Sequence, residues 1–108
     1  MNDTPNTLRP MWRHGDIMIA AVESVPEAAH VLPTVTLALG EVTGHSHRIE
    51  DPRAAEMLEF RGVRYLRVTA ESARLIHEEH HTIVLPRGTY TVWHQREYTP
   101  GAIRRVID

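Results

Sequence analysis

Short runs of aliphatic, β-branched and aromatic residues, each closed by glycine or proline, constrain the fold of this chain most. The run Ile17–Val22 follows a His-Gly-Asp turn. From Val35 the chain alternates between large apolar and smaller or polar side chains, and this pattern ends near Thr43. Runs of four to eight residues with period-2 alternation are typical of β-strands, whereas an amphipathic helix needs a period near 3.6. The first half of the sequence therefore predicts strands.

The second half contains two more pairs of such runs. Met57–Phe60 and Val63–Val68 are separated by Arg61-Gly62, which predicts a β-hairpin. Thr82–Pro86 and Thr89–Trp93 are rich in β-branched and aromatic residues and predict two further strands, with a turn at Arg87-Gly88 between them. Ser24–Pro33 contains two prolines and is predicted to be a loop.

Six to eight short strands indicate an all-β fold, either a small barrel or a sandwich, with a short C-terminal helix. The predicted organisation is a flexible N-terminal arm over residues 1–13, a β-barrel or sandwich domain over 14–98, and the helix over 99–108. The helix is predicted because Thr99-Pro100 provides an N-cap and a first position. The apolar residues that follow share one helical face: Ala102, Ile103, Val106 and Ile107.

Composition narrows the function classes. The chain has 108 residues, 42% hydrophobic and 24% charged, with a net charge of −2, which predicts one soluble domain and does not favour nucleic-acid binding. It lacks a membrane-length apolar run and a secretory signal, so we expect a cytoplasmic protein that does not enter the membrane. Every basic residue is arginine, which is typical of a GC-rich bacterial genome. Because there is no cysteine, a metal would have to be held by imidazole and carboxylate groups.

Five of the eight histidines fall in two short clusters, Gly44-His45-Ser46-His47 and His77-Glu78-Glu79-His80-His81. In an extended segment His45 and His47 share a face and could ligate one ion, with Glu50 as an oxygen donor. The alternative is a glycine turn that leaves these histidines in solvent.

The spacing of the second cluster permits three geometries. A strand would place His77, Glu79 and His81 on one face, and a turn would bring His77 and His80 together. A helix would place His77 and His81 four residues apart, as in the HExxH motif of zinc proteases. The helix is disfavoured because strand-forming residues follow immediately at 82–86. His14-Gly15-Asp16 could contribute a ligand or an acid, but it is interpreted as a turn before the first strand. His30 is interpreted as a surface residue.

His45-Ser46-His47, followed by a hairpin and then by Ile83-Val84-Leu85-Pro86-Arg87-Gly88, resembles the two motifs of the cupin superfamily. The resemblance covers residues 40–94 and implies a small β-barrel that holds a divalent metal inside. This sequence has Thr91 where the second motif places a histidine, so His77 or His80 would have to substitute. The whole chain also resembles a family of small bacterial proteins of uncharacterised function.

The sequence thus supports two hypotheses. In the first, a cupin-like barrel binds one divalent transition metal (Zn, Fe, Mn or Ni) through His45, His47, His77 and His80, with His81, Glu50 or Glu78 as alternative donors. Glu78 would be the catalytic acid or base if the protein is an enzyme. In the second, the protein is a non-enzymatic interaction module with a polar, histidine-rich surface. A homo-oligomer or a protein partner is compatible with either hypothesis. The two differ in whether the histidine clusters converge.

Overall fold

The fold was analysed in a computed structural model, which describes residues 10–39 and 45–95. These residues form eight β-strands and no α-helix. The all-β prediction is therefore confirmed, while the predicted helix at 99–108 lies outside the described residues. The strands are β1 (Met11–His14), β2 (Ile17–Val22), β3 (His30–Val31), β4 (Thr36–Leu39), β5 (Ser46–Ile49), β6 (Ala55–Phe60), β7 (Val63–His77) and β8 (His80–His94).

A single antiparallel sheet contains all eight strands and curls into a half-barrel. The long strands β7 and β8 form its centre and are connected by the two-residue turn Glu78-Glu79. β2 and then β1 continue the sheet beyond the C-terminal half of β8. On the other side, β6 and β3 border the N-terminal half of β7, and β5 and β4 border its C-terminal half.

The curl is produced by an irregularity in the middle of the β7–β8 hairpin. The strand register shifts between Val68 and Ser72. Buried side chains of β7 occupy even positions before the shift and odd positions after it, and those of β8 change from odd to even. A bulge that changes the side-chain parity bends the strand and keeps both halves facing the same interior. The interior is filled by buried side chains of five strands: Ile17, Ile19, Leu37, Met57, Leu66, Val68, Leu75, Leu85, Tyr90 and Val92.

The turn predicted from the sequence at Arg87-Gly88 is a bend within one strand. Arg87-Gly88 does not form a turn, because β8 runs without interruption from His80 to His94. Pro86 is tolerated within the strand because, among residues 10–39 and 45–95, this half of β8 pairs only with β7, so one edge needs no backbone donor. Gly88 lies at the bend with φ 155°, a value that residues with side chains rarely adopt.

Two segments that the sequence predicted to be irregular contain strand residues in the structure. Met11 to Arg13 belong to β1 and pair with β2, so the flexible arm predicted for residues 1–13 is wrong at these three positions; residues 1–9 lie outside the described part. His30–Val31 forms a short strand against β6 within the predicted loop.

The predicted hairpin at Arg61-Gly62 is confirmed, and both residues have positive φ, as a type I′ turn requires. Within 10–39 and 45–95, no helix is long and apolar enough to cross a membrane.

Candidate metal centre

The two histidine clusters converge. The tip of the β7–β8 hairpin folds against the start of β5, and the ring of His77 lies between those of the first cluster. Its centroid is 5.7 Å from that of His45 and 4.4 Å from that of His47, and the His77 and His80 centroids are 4.5 Å apart. Of the three geometries considered for the second cluster, the turn is correct: His77 and His80 are the cross-strand pair that closes the hairpin. The helical alternative is wrong.

Three imidazoles offer a set of donors for one ion. Ligand nitrogen atoms of His47, His77 and His80 all lie within 4.8 Å of one another. A tetrahedral ion with bonds of about 2.0–2.1 Å holds its ligand nitrogens roughly 3.3 Å apart. Small side-chain rotations would therefore bring the three nitrogens to bonding distance. His47 is buried, His77 is half-buried and His80 is exposed, so the set extends from the interior to the surface.

His14, for which the sequence favoured a place in a turn over a role as ligand or acid, contacts this set from the interior side. Its side chain is buried at the end of β1. Its Nδ1 lies 2.9 Å from Nδ1 of His47, and its Nε2 lies 2.9 Å from the carbonyl oxygen of His81. His81 thus contributes through its backbone, while its side chain is exposed.

These two hydrogen bonds determine the tautomer of His47. A carbonyl oxygen only accepts, so Nε2 of His14 donates to His81 and, in the neutral ring, Nδ1 of His14 carries the lone pair. Nδ1 of His47 must then be the donor in the bond between the two rings. The neutral His47 ring therefore has its free lone pair on Nε2, the form that binds a metal. Such hydrogen bonds from a neighbouring group commonly fix the orientation of a ligating histidine.

Burial keeps the two interior imidazoles neutral. Desolvation, together with a smaller contribution from the nearby His77 ring, lowers the pKa of His47 to about 4. Burial also lowers the pKa of His14, although the hydrogen bond to the His81 carbonyl acts against this shift. At neutral pH, a metal ion would not have to displace a proton from His47.

The turn between β1 and β2 packs directly on the histidines. Gly15 has φ 64°, and a Cβ atom at this position would lie 2.8 Å from Nε2 of His80 and 2.9 Å from Cε1 of His47. Because real Cβ atoms are not found so close to other heavy atoms, only glycine allows this approach without a shift. The glycine is therefore needed both for its left-handed backbone and for the space beside the two rings.

Asp16, the next residue of this turn, lies between two histidines. Its Oδ2 is 3.3 Å from Nδ1 of His94, and its Oδ1 is 4.0 Å from Nε2 of His47. The backbone carbonyl of Asp16 accepts a hydrogen bond from the Gln95 amide at 2.8 Å, which holds the turn against the end of β8. The sequence left Asp16 as a possible acid or ligand that a turn explained better, and it did not assign His94 to the site.

The hairpin tip has contacts of its own. Glu78 forms an ion pair with Arg48, 3.0 Å between Oε2 and Nη2, and also accepts a hydrogen bond from the Ser46 amide. Hydrogen bonds within the turn and from Arg48 lower the pKa of Glu78 to about 2. The catalytic role of Glu78 stays a prediction, but a carboxylate with so low a pKa is a weak proton acceptor at neutral pH.

A second, overlapping set of donors consists of His45, His77 and Glu78, whose ligand atoms also lie within 4.8 Å of one another. Nδ1 of His45 is buried without a hydrogen bond and lies 3.7 Å from Oε2 of Glu79. Glu50, the other oxygen donor considered from the sequence, instead pairs with Arg74 at 2.7 Å. His30 is exposed, as predicted, and lies beside Glu59 on β3 and β6.

Comparison with known proteins places the chain in a family but assigns no activity. No curated protein and no solved structure matches it significantly. Residues 13–95 match a family described as a domain of unknown function, DUF8820, and this range contains all eight histidines. The resemblance to cupins stays a prediction. Since the match covers most of the chain, the protein belongs to the DUF8820 family.

Proposed function

We propose that the protein binds one divalent transition-metal ion, with Nε2 of His47 and the imidazoles of His77 and His80 as ligands. The observation that carries the proposal is the convergence of three imidazole nitrogens within 4.8 Å from the ends of three different strands. Imidazole suits zinc, iron and nickel, and the absence of cysteine excludes thiolate sites. His45 lies beside this set and becomes a neighbour of the ion instead of a ligand.

The electrostatics of the site support this assignment. Five imidazole rings, those of His14, His45, His47, His77 and His80, lie against one another in and beside the half-barrel. Protonating several of them would place like charges together. Burial, and to a smaller extent the neighbouring imidazoles, lowers the pKa values of His14, His47 and His77. Imidazoles that resist protonation keep a ring nitrogen free of a competing proton, which favours binding of a cation.

Metal binding requires one local rearrangement. Nδ1 of His77 accepts a hydrogen bond from the Glu79 amide at 3.0 Å, so this nitrogen is not protonated in the neutral ring. A metal on Nδ1 would replace that bond, and a metal on Nε2 would require the proton to move to Nδ1. In either case the Glu79 amide loses its acceptor, so we expect the exposed hairpin turn to adjust when the ion binds.

Elemental analysis tests the proposal. Untagged protein purified without chelator, or loaded with zinc and desalted, should contain about one ion per chain. His80→Ala should lose the ion, because it removes an exposed ligand with little effect on the core. His81→Ala is the matched control, since it keeps the backbone carbonyl that His14 uses. Absence of metal from the loaded wild-type protein would overturn the proposal and leave the interaction-module hypothesis.

His14 should affect metal affinity without being a ligand. Replacement by leucine removes the acceptor that fixes the His47 tautomer, and loss of such a partner typically weakens metal binding by about 10–100-fold. His14→Gln, whose amide offers both an acceptor and a donor, should restore part of the affinity. Competition with a chromophoric chelator measures both constants. Equal affinity of His14→Leu and wild type would show that the tautomer of His47 is not controlled by His14.

A further inference from the structure

The Asp16 carboxylate faces the proposed metal site from the β1–β2 turn. Oδ1 of Asp16 points towards Nε2 of His47, 4.0 Å away, while Oδ2 lies 3.3 Å from Nδ1 of His94. The Asp16 side chain is 41% exposed and that of His94 is 14% exposed, so the carboxylate lies at the rim with its partner histidine behind it.

The 4.0 Å gap separates two electron-pair donors. The hydrogen bonds of His14 place the lone pair of His47 on Nε2, and a carboxylate oxygen carries negative charge, so neither atom offers a proton to the other. The distance is too long for a hydrogen bond. Bonds of about 2.0–2.2 Å place two ligand atoms of a tetrahedral ion roughly 3.3–3.6 Å apart, so a small inward movement of the Asp16 carboxylate would bring Oδ1 to the separation of a second ligand on the same ion.

The geometry points to Asp16 as a fourth, carboxylate ligand of the same ion, with His94, whose buried Nδ1 makes no hydrogen bond among the described residues and lies 3.3 Å from Oδ2, as the residue that would position the carboxylate. This inference rests on the proposed function. Asp16 does not belong to the set of three imidazoles that lie mutually within 4.8 Å, so its exposed side chain must rotate inwards when the ion binds. Gly15 permits the approach, because the turn already lies against His47 and His80.

A fourth protein ligand would define the type of site. Three imidazoles and one carboxylate complete the shell of a tetrahedral zinc ion, and closed four-ligand zinc sites are structural. The ligands come from the β1–β2 turn, from β5 and from both strands of the β7–β8 hairpin. An ion bound by all four ligands would therefore connect the β1–β2 turn, β5 and the β7–β8 hairpin to one another. An octahedral ion such as Mn²⁺ would keep two positions for other ligands.

Cobalt binding tests the inference, because the visible spectrum of Co²⁺ reports its coordination number and its ligands. The wild-type protein should give the strong bands of four-coordinate Co²⁺. Asp16→Asn and Asp16→Ala should shift these bands and weaken binding by about 100-fold or more, since loss of a ligand should exceed the effect of an outer partner. Asp51→Asn is the control, because that exposed carboxylate contacts Arg53 and not the histidines.

His94→Gln separates positioning from ligation. It should weaken Co²⁺ binding by roughly tenfold without changing the bands, because the ligands themselves remain. If Asp16→Ala binds Co²⁺ with the affinity and the spectrum of the wild type, Asp16 is not a ligand, while the site of three imidazoles stands. If the wild-type protein itself binds neither Co²⁺ nor Zn²⁺, the proposed function fails. The two failures are therefore distinguishable.

Discussion

Metal-free protein is expected to lose about 2 kcal/mol of its free energy of unfolding between about pH 7.5 and about pH 5, from His47 alone. The pKa of His47 falls from 6.5 in the unfolded chain to about 4 in the fold. As the pH drops below 6.5, His47 becomes protonated in the unfolded chain but stays neutral in the folded protein, so unfolding becomes more favourable. The loss grows until the pH reaches about 4, where both states are protonated. Burial shifts the pKa values of His14 and His77 in the same direction.

Denaturant unfolding with chelator present, at constant ionic strength, measures this effect. The range stops near pH 5 because the stabilisation from Glu78, whose pKa is lowered from 4.5 to about 2, is lost only below that range. His47→Asn retains a donor near the position of Nδ1 and should remove about 2 kcal/mol of the pH dependence, leaving the part that comes from His14 and His77, whereas the exposed His30→Asn should follow the wild type. Equal stability of the wild type at both pH values would show that His47 is accessible to protons in the folded state.

The sequence predicted the strands because their signals are local. Ile17–Val22 and the hairpin at Arg61-Gly62 depend on neighbouring residues and on turn chemistry, and both are present in the structure. The bend at Gly88 was mistaken for a turn because proline and glycine interrupt a strand in the same way whether the chain reverses or only bends. Pairing with β7 decides between the two outcomes, and that information lies more than a dozen residues away.

The site shows the same division between local and distant information. The spacing of His45 and His47 and the possible turn geometry of His77 and His80 are local properties, and both clusters meet in the structure. His14 could not be assigned in this way, because its role depends on the curl that brings the β1–β2 turn to the hairpin tip.

Both ends of β8 contact the segment around the β1–β2 turn. The His81 carbonyl accepts a hydrogen bond from His14, and the His94 ring lies beside Asp16. No pattern among neighbouring residues in the sequence predicts these contacts. The available signal was weaker: a histidine and an aspartate flank a glycine, and a glycine often marks close approach of the backbone to other groups.

Zinc is expected to stabilise the protein by about 4 kcal/mol when its free concentration is roughly 1,000 times the dissociation constant. The ion would join the β7–β8 hairpin tip to β5, so unfolding must release it. For a domain of this size, about 4 kcal/mol corresponds to a rise of roughly 15 °C or more in the melting temperature. Thermal unfolding followed by circular dichroism, with and without zinc, measures the shift at about pH 7.5.

His77→Ala should abolish the zinc-dependent rise, because this imidazole belongs to the donor set and lies in the centre of the converging rings. His77 is half-buried at the hairpin tip and is not one of the buried residues that form the apolar core, so its variant should fold and report on binding. His81→Ala should keep the full shift. Repeating the titration near pH 5 should reduce the rise for the wild type, since protons then compete for the lone pairs that hold the ion. A rise of the same size in His77→Ala would mean that zinc stabilises the fold from another place, and the assignment of the hairpin histidines as ligands would be wrong.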